Sequence, residues 1–468
     1  MSSSGKGHCS SPFVPVKAPP PGYFLEPARR SGIAGPVYLR RLLVFLVIGV
    51  GLVGLLWAAS LRLTEPADAP SPGSAFRSKA VEMTVGQRPA RQGAVDYARL
   101  DSRLRQLSEE SAMVGLAVAV VEDGEIAFLK GYGETIAGSG DPVTVDTIFR
   151  WASLSKGVAG DMVALLADRQ RLSLFEPVGR YSSIRLPGGT ETTATVSDLL
   201  SHRLGLFSHA YDSKLEDGDD PRMLRASLAT LNNICSPGQC HAYQNVAFDA
   251  ASEIVERITG KSYRDAVRET LFEPLGMTSA SMTREQLLAS PSWARPHVGG
   301  KNSQPVEVTD SYYRVPAAGG VNGSIKDLTL WMLAQMGAAE DVIPGSVLAT
   351  VQAPLANTPG EAARRRKFSE RSSQFAYGLG WRTFDYAGHR VVGHHGGVRG
   401  YRSLILFDPQ LRSGVVALWN SSASKPNGIE YEVMDMIYRL PFRDWMQIGE
   451  AQAEPESPTP DDPENQGT

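Results

Sequence analysis

The segment FRWASLSKG, residues 149–157, sets a serine and a lysine three positions apart, at Ser153 and Lys156. A hydroxyl is a poor nucleophile until a neighbouring base takes its proton, so a serine enzyme needs such a base within hydrogen-bond reach. If a helix begins at Ser153, Lys156 lies one turn on along the same face, and both side chains point at one spot. The helix N-terminus adds free N–H groups and positive potential, which suit a developing oxyanion and favour the neutral amine. Burial acts in the same direction, because desolvation disfavours an ammonium. Alone the pair is a weak signal, since serine and lysine are common.

The elements that would position this pair can be read from hydrophobic spacing. VGLAVAVVEDGEIAFLKGYG, residues 114–133, is two β-rich runs joined at Glu122, Asp123 and Gly124, a hairpin pattern. From Ser153 to about Gln170 the apolar residues Val158, Met162, Leu165 and Leu166 recur at helical spacing. Gly157 and Gly160 early in that run permit close packing, so a buried helix is expected. The middle third is mostly helical in pattern, with Gly260 and Pro274 marking helix ends. YGLGWRTFDY, RSLILFDP and SGVVALWN are short β runs near the C-terminus, followed by a final helix over Tyr431 to Leu440. The expected fold class is α/β of the α+β type. One antiparallel sheet, built from N- and C-terminal segments and flanked by helices, would carry an inserted, mostly helical lobe.

The 468 residues are 42 % hydrophobic and 21 % charged with a formal net charge of −3, close to a soluble globular average. The small charge gives no sign of a nucleic-acid partner, which would call for a basic face. The run 42–61 is apolar apart from Ser60 near its end, and at 1.5 Å per residue it spans about 30 Å, a hydrocarbon core. Lys6, Lys17, Arg29, Arg30, Arg40 and Arg41 precede it against the single acid Glu26, which predicts an N-terminus held in the cytoplasm. The run starts too late for a cleaved signal peptide. The expected organisation is a disordered cytoplasmic segment 1–41, a transmembrane anchor 42–61, a linker 62–94, a folded domain 95–446 and a disordered acidic tail 447–468. The anchor would be a single pass in the inner membrane, with the domain periplasmic or extracellular. There Cys235 and Cys240, separated by a Pro237–Gly238 turn, form either a local disulfide or two free thiols.

Further motifs follow in order. They are LADRQRLSLFEPVGRY, TVSDLLSHRLGL, YQNVAFD, EPLGM, AAGGVNGSIKDL and HHGGVRGY. Together with S-x-x-K, this series resembles the family of class C β-lactamases, D-alanyl-D-alanine carboxypeptidases and related esterases, over about Leu104 to Asn420. Each motif is unspecific, but the ordered set is strong. The resemblance implies that Ser153 attacks a carbonyl while Lys156 and Tyr243 handle its proton, either being the base. It implies that Asn245 bonds Lys156 and the substrate amide. His394, His395 and Gly396 would form the third motif on a strand, and the oxyanion would sit between the N–H groups of Ser153 and Gly397. A protonated His394 and Lys156 would be the cations facing the Tyr243 phenol. Class C β-lactamases usually carry lysine where this chain has His394, which makes a potent β-lactamase less expected. CSPGQC ahead of Tyr243 replaces a simple Pro-Gly approach, so a disulfide there would staple Tyr243 in place.

Other signals carry less. Gly49, Gly51 and Gly54 form a G-x-G-x-x-G pattern inside the apolar run, without a preceding strand. His389, His394 and His395 lack zinc-motif spacing, so neither a metal nor a cofactor is expected. Ser197 and Asp198 read as helix-start chemistry. The basic run Arg364–Lys367 reads as a solvated loop, with contact to lipid headgroups or anionic wall polymer as the alternative. Two functional classes result. One is a serine hydrolase acting on D-amino-acid peptides, β-lactams or small esters. The other is a penicillin-binding sensor or a non-catalytic wall-associated module with little turnover.

Overall fold

A computed structural model describes residues 93–449. The anticipated N-terminal segment, anchor 42–61, most of the linker and the tail from 450 onward lie outside those residues. The first described helix is α1 (Tyr97–Glu109), capped by Asp96, whose carboxylate accepts the Arg99 N–H at 3.0 Å. Strands β1 (Gly115–Glu122) and β2 (Glu125–Gly133) form the expected hairpin, turning at Asp123 and Gly124, both at positive φ. A short strand β3 (Phe149–Arg150) leads through a 3₁₀ turn over Ala152–Leu154 into helix α2 (Ser155–Asp168). The helical lobe follows, including α3 (Ala250–Thr259), which ends at Gly260 in the left-handed conformation as its sequence predicts. The two-residue strand β4 (Asn322–Gly323) pairs with β3 and precedes helix α4 (Ile325–Gln335). Six strands close the domain: β5 (Ala356–Asn357), β6 (Ser372–Tyr377), β7 (Arg382–Tyr386), β8 (His389–Val398), β9 (Tyr401–Asp408) and β10 (Ser413–Trp419). Helix α5 (Ile429–Ile437) comes last.

The main sheet has eight antiparallel strands in the order β2-β1-β10-β9-β8-β7-β6-β5. N- and C-terminal segments thus share one sheet, as the sequence implies. Successive side chains on a strand point to opposite faces. Accordingly Ala117, Ala119 and Val121 of β1 join a core shared with α2, α4 and the helical lobe, while Leu116, Val118 and Val120 join a second core under α1 and α5. The central strands are buried on both faces, which explains their unbroken apolar runs.

Helix α2 is buried along its first twelve residues, Ser155–Leu166. Gly157 and Gly160 make that possible. A Cβ at 157 would lie 2.7 Å from the Trp331 ring, and one at 160 would lie 2.1 Å from the Leu379 carbonyl oxygen. On the far side of the sheet the first and last described helices are clasped together. Arg103 of α1 is wholly buried and grips both carboxylate oxygens of Glu432 on α5, at 2.6 and 2.7 Å, together with Asp444 at 2.6 Å. It also donates to the Gly449 carbonyl, and Ile448 is buried. Residues 447–449, expected in the tail, are therefore packed on the folded domain. The basic run also differs from expectation. Arg365 is buried against Glu361, Glu430 and the Tyr431 hydroxyl, and Arg364 pairs with Glu361.

Candidate active site

The turn that carries Ser153 is held on three sides. Trp151 donates its backbone N–H to Val321 O at 2.9 Å, and its carbonyl accepts from Ser403 Oγ at 2.7 Å. Ser155 Oγ spans Ala152 O at 2.7 Å and the Val321 N–H at 3.0 Å. Ala152 sits at φ 50°, a left-handed conformation that costs a non-glycine residue about 1 kcal/mol or more and persists only where its surroundings enforce it. Ser153 is half-exposed while its neighbours from Trp151 to Lys156 are buried. The result is a hydroxyl presented at the surface of a fixed, strained turn.

Lys156 is wholly buried. Its Nζ donates to Asn245 Oδ1 at 2.6 Å and to the Ala318 carbonyl at 2.9 Å. Among the described residues no carboxylate lies within ion-pairing distance of it. The ammonium also stands 4.7 Å from the centre of the Tyr243 ring. Asn245 passes its other end to Asp212, with Nδ2 donating to Oδ2 at 2.7 Å. Ala318 is held indirectly, because the buried Asp249 accepts the neighbouring Ala317 N–H at 3.0 Å while pairing with Arg225 at 2.9 Å. Burial outweighs Arg225 at this carboxyl and raises its pKa to about 7.

Tyr243 is packed among rings. His202 lies 4.3 Å from it, His209 5.6 Å, His394 6.2 Å and Tyr377 6.3 Å, centre to centre. Arg382 stands 5.4 Å over the same ring and pairs with Glu361 at 2.7 Å. His394 Nδ1 faces the His395 carbonyl at 2.8 Å and therefore carries the hydrogen, leaving Nε2 to accept from the Tyr377 hydroxyl at 2.9 Å. Burial, then Arg382 and Lys156, hold its pKa well below the usual histidine value, so this imidazole is neutral. The expectation of a protonated His394 beside Tyr243 is thereby corrected. The cations facing the phenol are Lys156 and Arg382. His202, within TVSDLLSHRLGL, is buried and likewise held neutral by burial, and no spacing in the sequence signals its place beside Tyr243.

Strand β8 brings the third motif to Ser153. A Cβ at Gly396 would meet the Trp151 carbonyl oxygen and Ser403 Oγ at 2.2 Å and Ser153 N at 3.1 Å, so only glycine lets the strand lie this close. β7 pairs with β8 no further than Arg382 opposite Gly393, leaving 394–398 an open edge on that side. Val398 and Tyr401 flank a two-residue turn and form a hydrogen-bonded pair. By alternation Gly397 opposite Arg402 is non-bonded, and its N–H faces the open edge. The adjacent His395 points to the opposite face of the sheet, where Nε2 meets Glu430 at 2.8 Å and Nδ1 meets Arg365 at 3.3 Å. It does not share the cleft with His394, as successive strand residues cannot. The structure thus brings Lys156, Asn245, Tyr243 and His394 together, sets Gly396 against the backbone of Ser153, and separates His395 from them.

Cys235 and Cys240 are disulfide-bonded, three residues ahead of Tyr243. The bridged loop is anchored to the segment after the helix Val196–Leu200, with Ile234 N–H donating to Gly205 O at 2.8 Å and Gly238 N–H to Arg203 O at 2.7 Å. Asp198 closes a capping box with Thr195, the helix-start role its sequence suggests.

A large antiparallel sheet with a helical lobe, a buried lysine against a tyrosine and an asparagine, and a serine-bearing turn beside strand β8 match the penicillin-recognising serine hydrolase fold. The beta-lactamase family profile matches residues 100–434, and the chain belongs to that family. It is 28 % identical over 359 residues to an unguisins hydrolase of Aspergillus campestris, covering 74 % of this chain and 64 % of the relative's length. It is 29 % identical over 337 residues to penicillin-binding protein 4 of Amycolatopsis lactamdurans, covering 69 % and 84 %. The octameric penicillin-binding protein homologue of Pyrococcus abyssi shares the fold with a TM-score of 0.66 at 24 % identity, over 74 % of this chain and 78 % of that one.

Proposed function

We propose that this protein is a hydrolase that forms an acyl ester at Ser153, acting on D-amino-acid peptides, β-lactams or small esters. The observation that carries the proposal is the environment of Lys156. Nζ of Lys156 meets two neutral acceptors, Asn245 Oδ1 and Ala318 O, and among the described residues no carboxylate. Ser153 lies three residues earlier, on the turn that leads into the helix carrying Lys156. Burying a cation with only neutral acceptors is costly for a purely structural residue and characteristic of a functional one.

In this reading Ser153 Oγ bonds to the substrate carbonyl carbon while its proton passes to Lys156 or Tyr243. The oxyanion is held by the N–H groups of Ser153 and Gly397. Collapse expels the amine or alcohol, which takes up that proton, and water then splits the ester to free the acid and restore Ser153. The apolar run 42–61 and its basic flank support the further proposal that the domain is tethered to the inner membrane on its outer side. Intact-mass analysis during parallel incubation with penicillin, a D-Ala-D-Ala peptide and a nitrophenyl ester tests the reaction. A transient adduct on Ser153 with continued product release is expected. A permanent adduct would assign the protein as a sensor, and no adduct with any of the three would refute the hydrolase.

A further inference from the structure

Resting on the acyl-ester reading, we propose that Asp212 is a positioning residue that sets the catalytic lysine through Asn245. A side-chain amide can face either way, and its two ends carry opposite polarity. Lys156 only donates and an ionised carboxylate only accepts. With Oδ1 of Asn245 at 2.6 Å from Lys156 Nζ and Nδ2 at 2.7 Å from Asp212 Oδ2, both ends are satisfied at once. A flipped amide would set its Nδ2 against the lysine and its Oδ1 against the carboxylate, two repulsive contacts. Asp212 therefore fixes which end of Asn245 the lysine meets.

The surrounding loop is built to hold that carboxylate in place. His209 Nδ1 meets the same Oδ2 at 2.8 Å, and the His209 backbone N–H donates to Tyr243 O at 2.8 Å, tying the loop to the second motif. His209 at φ 60° and Tyr211 at φ 63° both occupy the left-handed region, which ordinary residues hold only where tertiary contacts compel it. Tyr312 flanks Asp212 but donates its own hydroxyl to Glu216 at 2.9 Å, so Oδ2 of Asp212 is met by Asn245 and His209. The segment around Asp212 is in this way coupled to Lys156 through Asn245.

A double-mutant cycle in the full-length protein tests the assignment, with nitrophenyl ester kcat and KM as readouts. Asp212→Ala should lower kcat by about 10- to 100-fold, the cost of one well-placed hydrogen bond to a charged network, with KM within about twofold. Asp212→Asn, which can still accept from Nδ2, should restore most of the rate. In an Asn245→Ala background, Asp212→Ala should cost less than about twofold more, because the two act in series. Asp212→Ser serves if the alanine variant fails to fold. Losses that multiply in the double variant, or an asparagine no better than alanine, would overturn the proposal. Failure of wild type to acylate Ser153 would instead overturn the hydrolase reading beneath it.

Discussion

Arg103 and Lys156 are both wholly buried cations, and the molecule accommodates them differently. Arg103, on the far face of the sheet, is gripped by Glu432 and Asp444 at 2.6 to 2.7 Å and clasps the two ends of the domain. Lys156, on the cleft face, meets two neutral oxygens and two aromatic rings, Tyr243 and Phe248. The first arrangement neutralises a charge for good. The second leaves a buried cation with neutral partners only. The same contrast recurs along β8, where His395 joins the ion network of Glu430 and Arg365 and His394 is kept neutral against Tyr377.

The sharpest way to break this comparison is to remove each cation in turn. Arg103→Met strands two carboxylates and should cost about 3–5 kcal/mol of stability, read by denaturant unfolding, with acylation per folded molecule unchanged. Lys156→Met should leave stability level or raise it, because it deletes an ammonium that has no carboxylate partner. Equal destabilisation by both would erase the distinction. A smaller effect is expected from Gly396→Ala, whose Cβ would sit 2.2 Å from the Trp151 carbonyl oxygen. It should cost about 1–3 kcal/mol and slow acylation about tenfold by moving β8 from Ser153, without altering any charge. An effect absent at neutral pH concerns His241 beside this cluster, whose pKa burial and then Arg382 push down to about 4. An unfolded histidine titrates near ~6.5, so below that pH the unfolded chain binds a proton that the folded one refuses. The stability in question is complete above ~6.5 and falls by about 1.4 kcal/mol per pH unit from there toward 4. His241→Gln should flatten that acid limb in pH-dependent unfolding, and an unchanged limb would place its origin elsewhere.

Periodicity made the hairpin, the α2 helix and the shared sheet legible, because each depends on the alternation or helical spacing of its own residues. Ser153 and Lys156 were legible because three positions suffice to bring them together. The ordered motifs supplied Tyr243, Asn245, His394 and the glycines, which no local spacing could have joined. Asp212 carried no signal. Its role comes from a distant asparagine and from left-handed turns at His209 and Tyr211, residues that do not advertise such geometry. His395 was placed in the cleft by its motif although strand alternation already separated it from His394. Arg365 looked like one solvated base among four, since its partners Glu361, Glu430 and Tyr431 are brought to it only by the packing of α5.

The central claim is that the buried, carboxylate-free amine of Lys156 takes the proton of Ser153, either directly or with Tyr243. The most direct test is the rate at which Ser153 is acylated by a nitrophenyl ester, followed by intact mass, in wild type and in Lys156→Met. The account predicts a rate at least about a hundredfold lower in a variant that is equally folded. Acylation of Lys156→Met at the wild-type rate would contradict it.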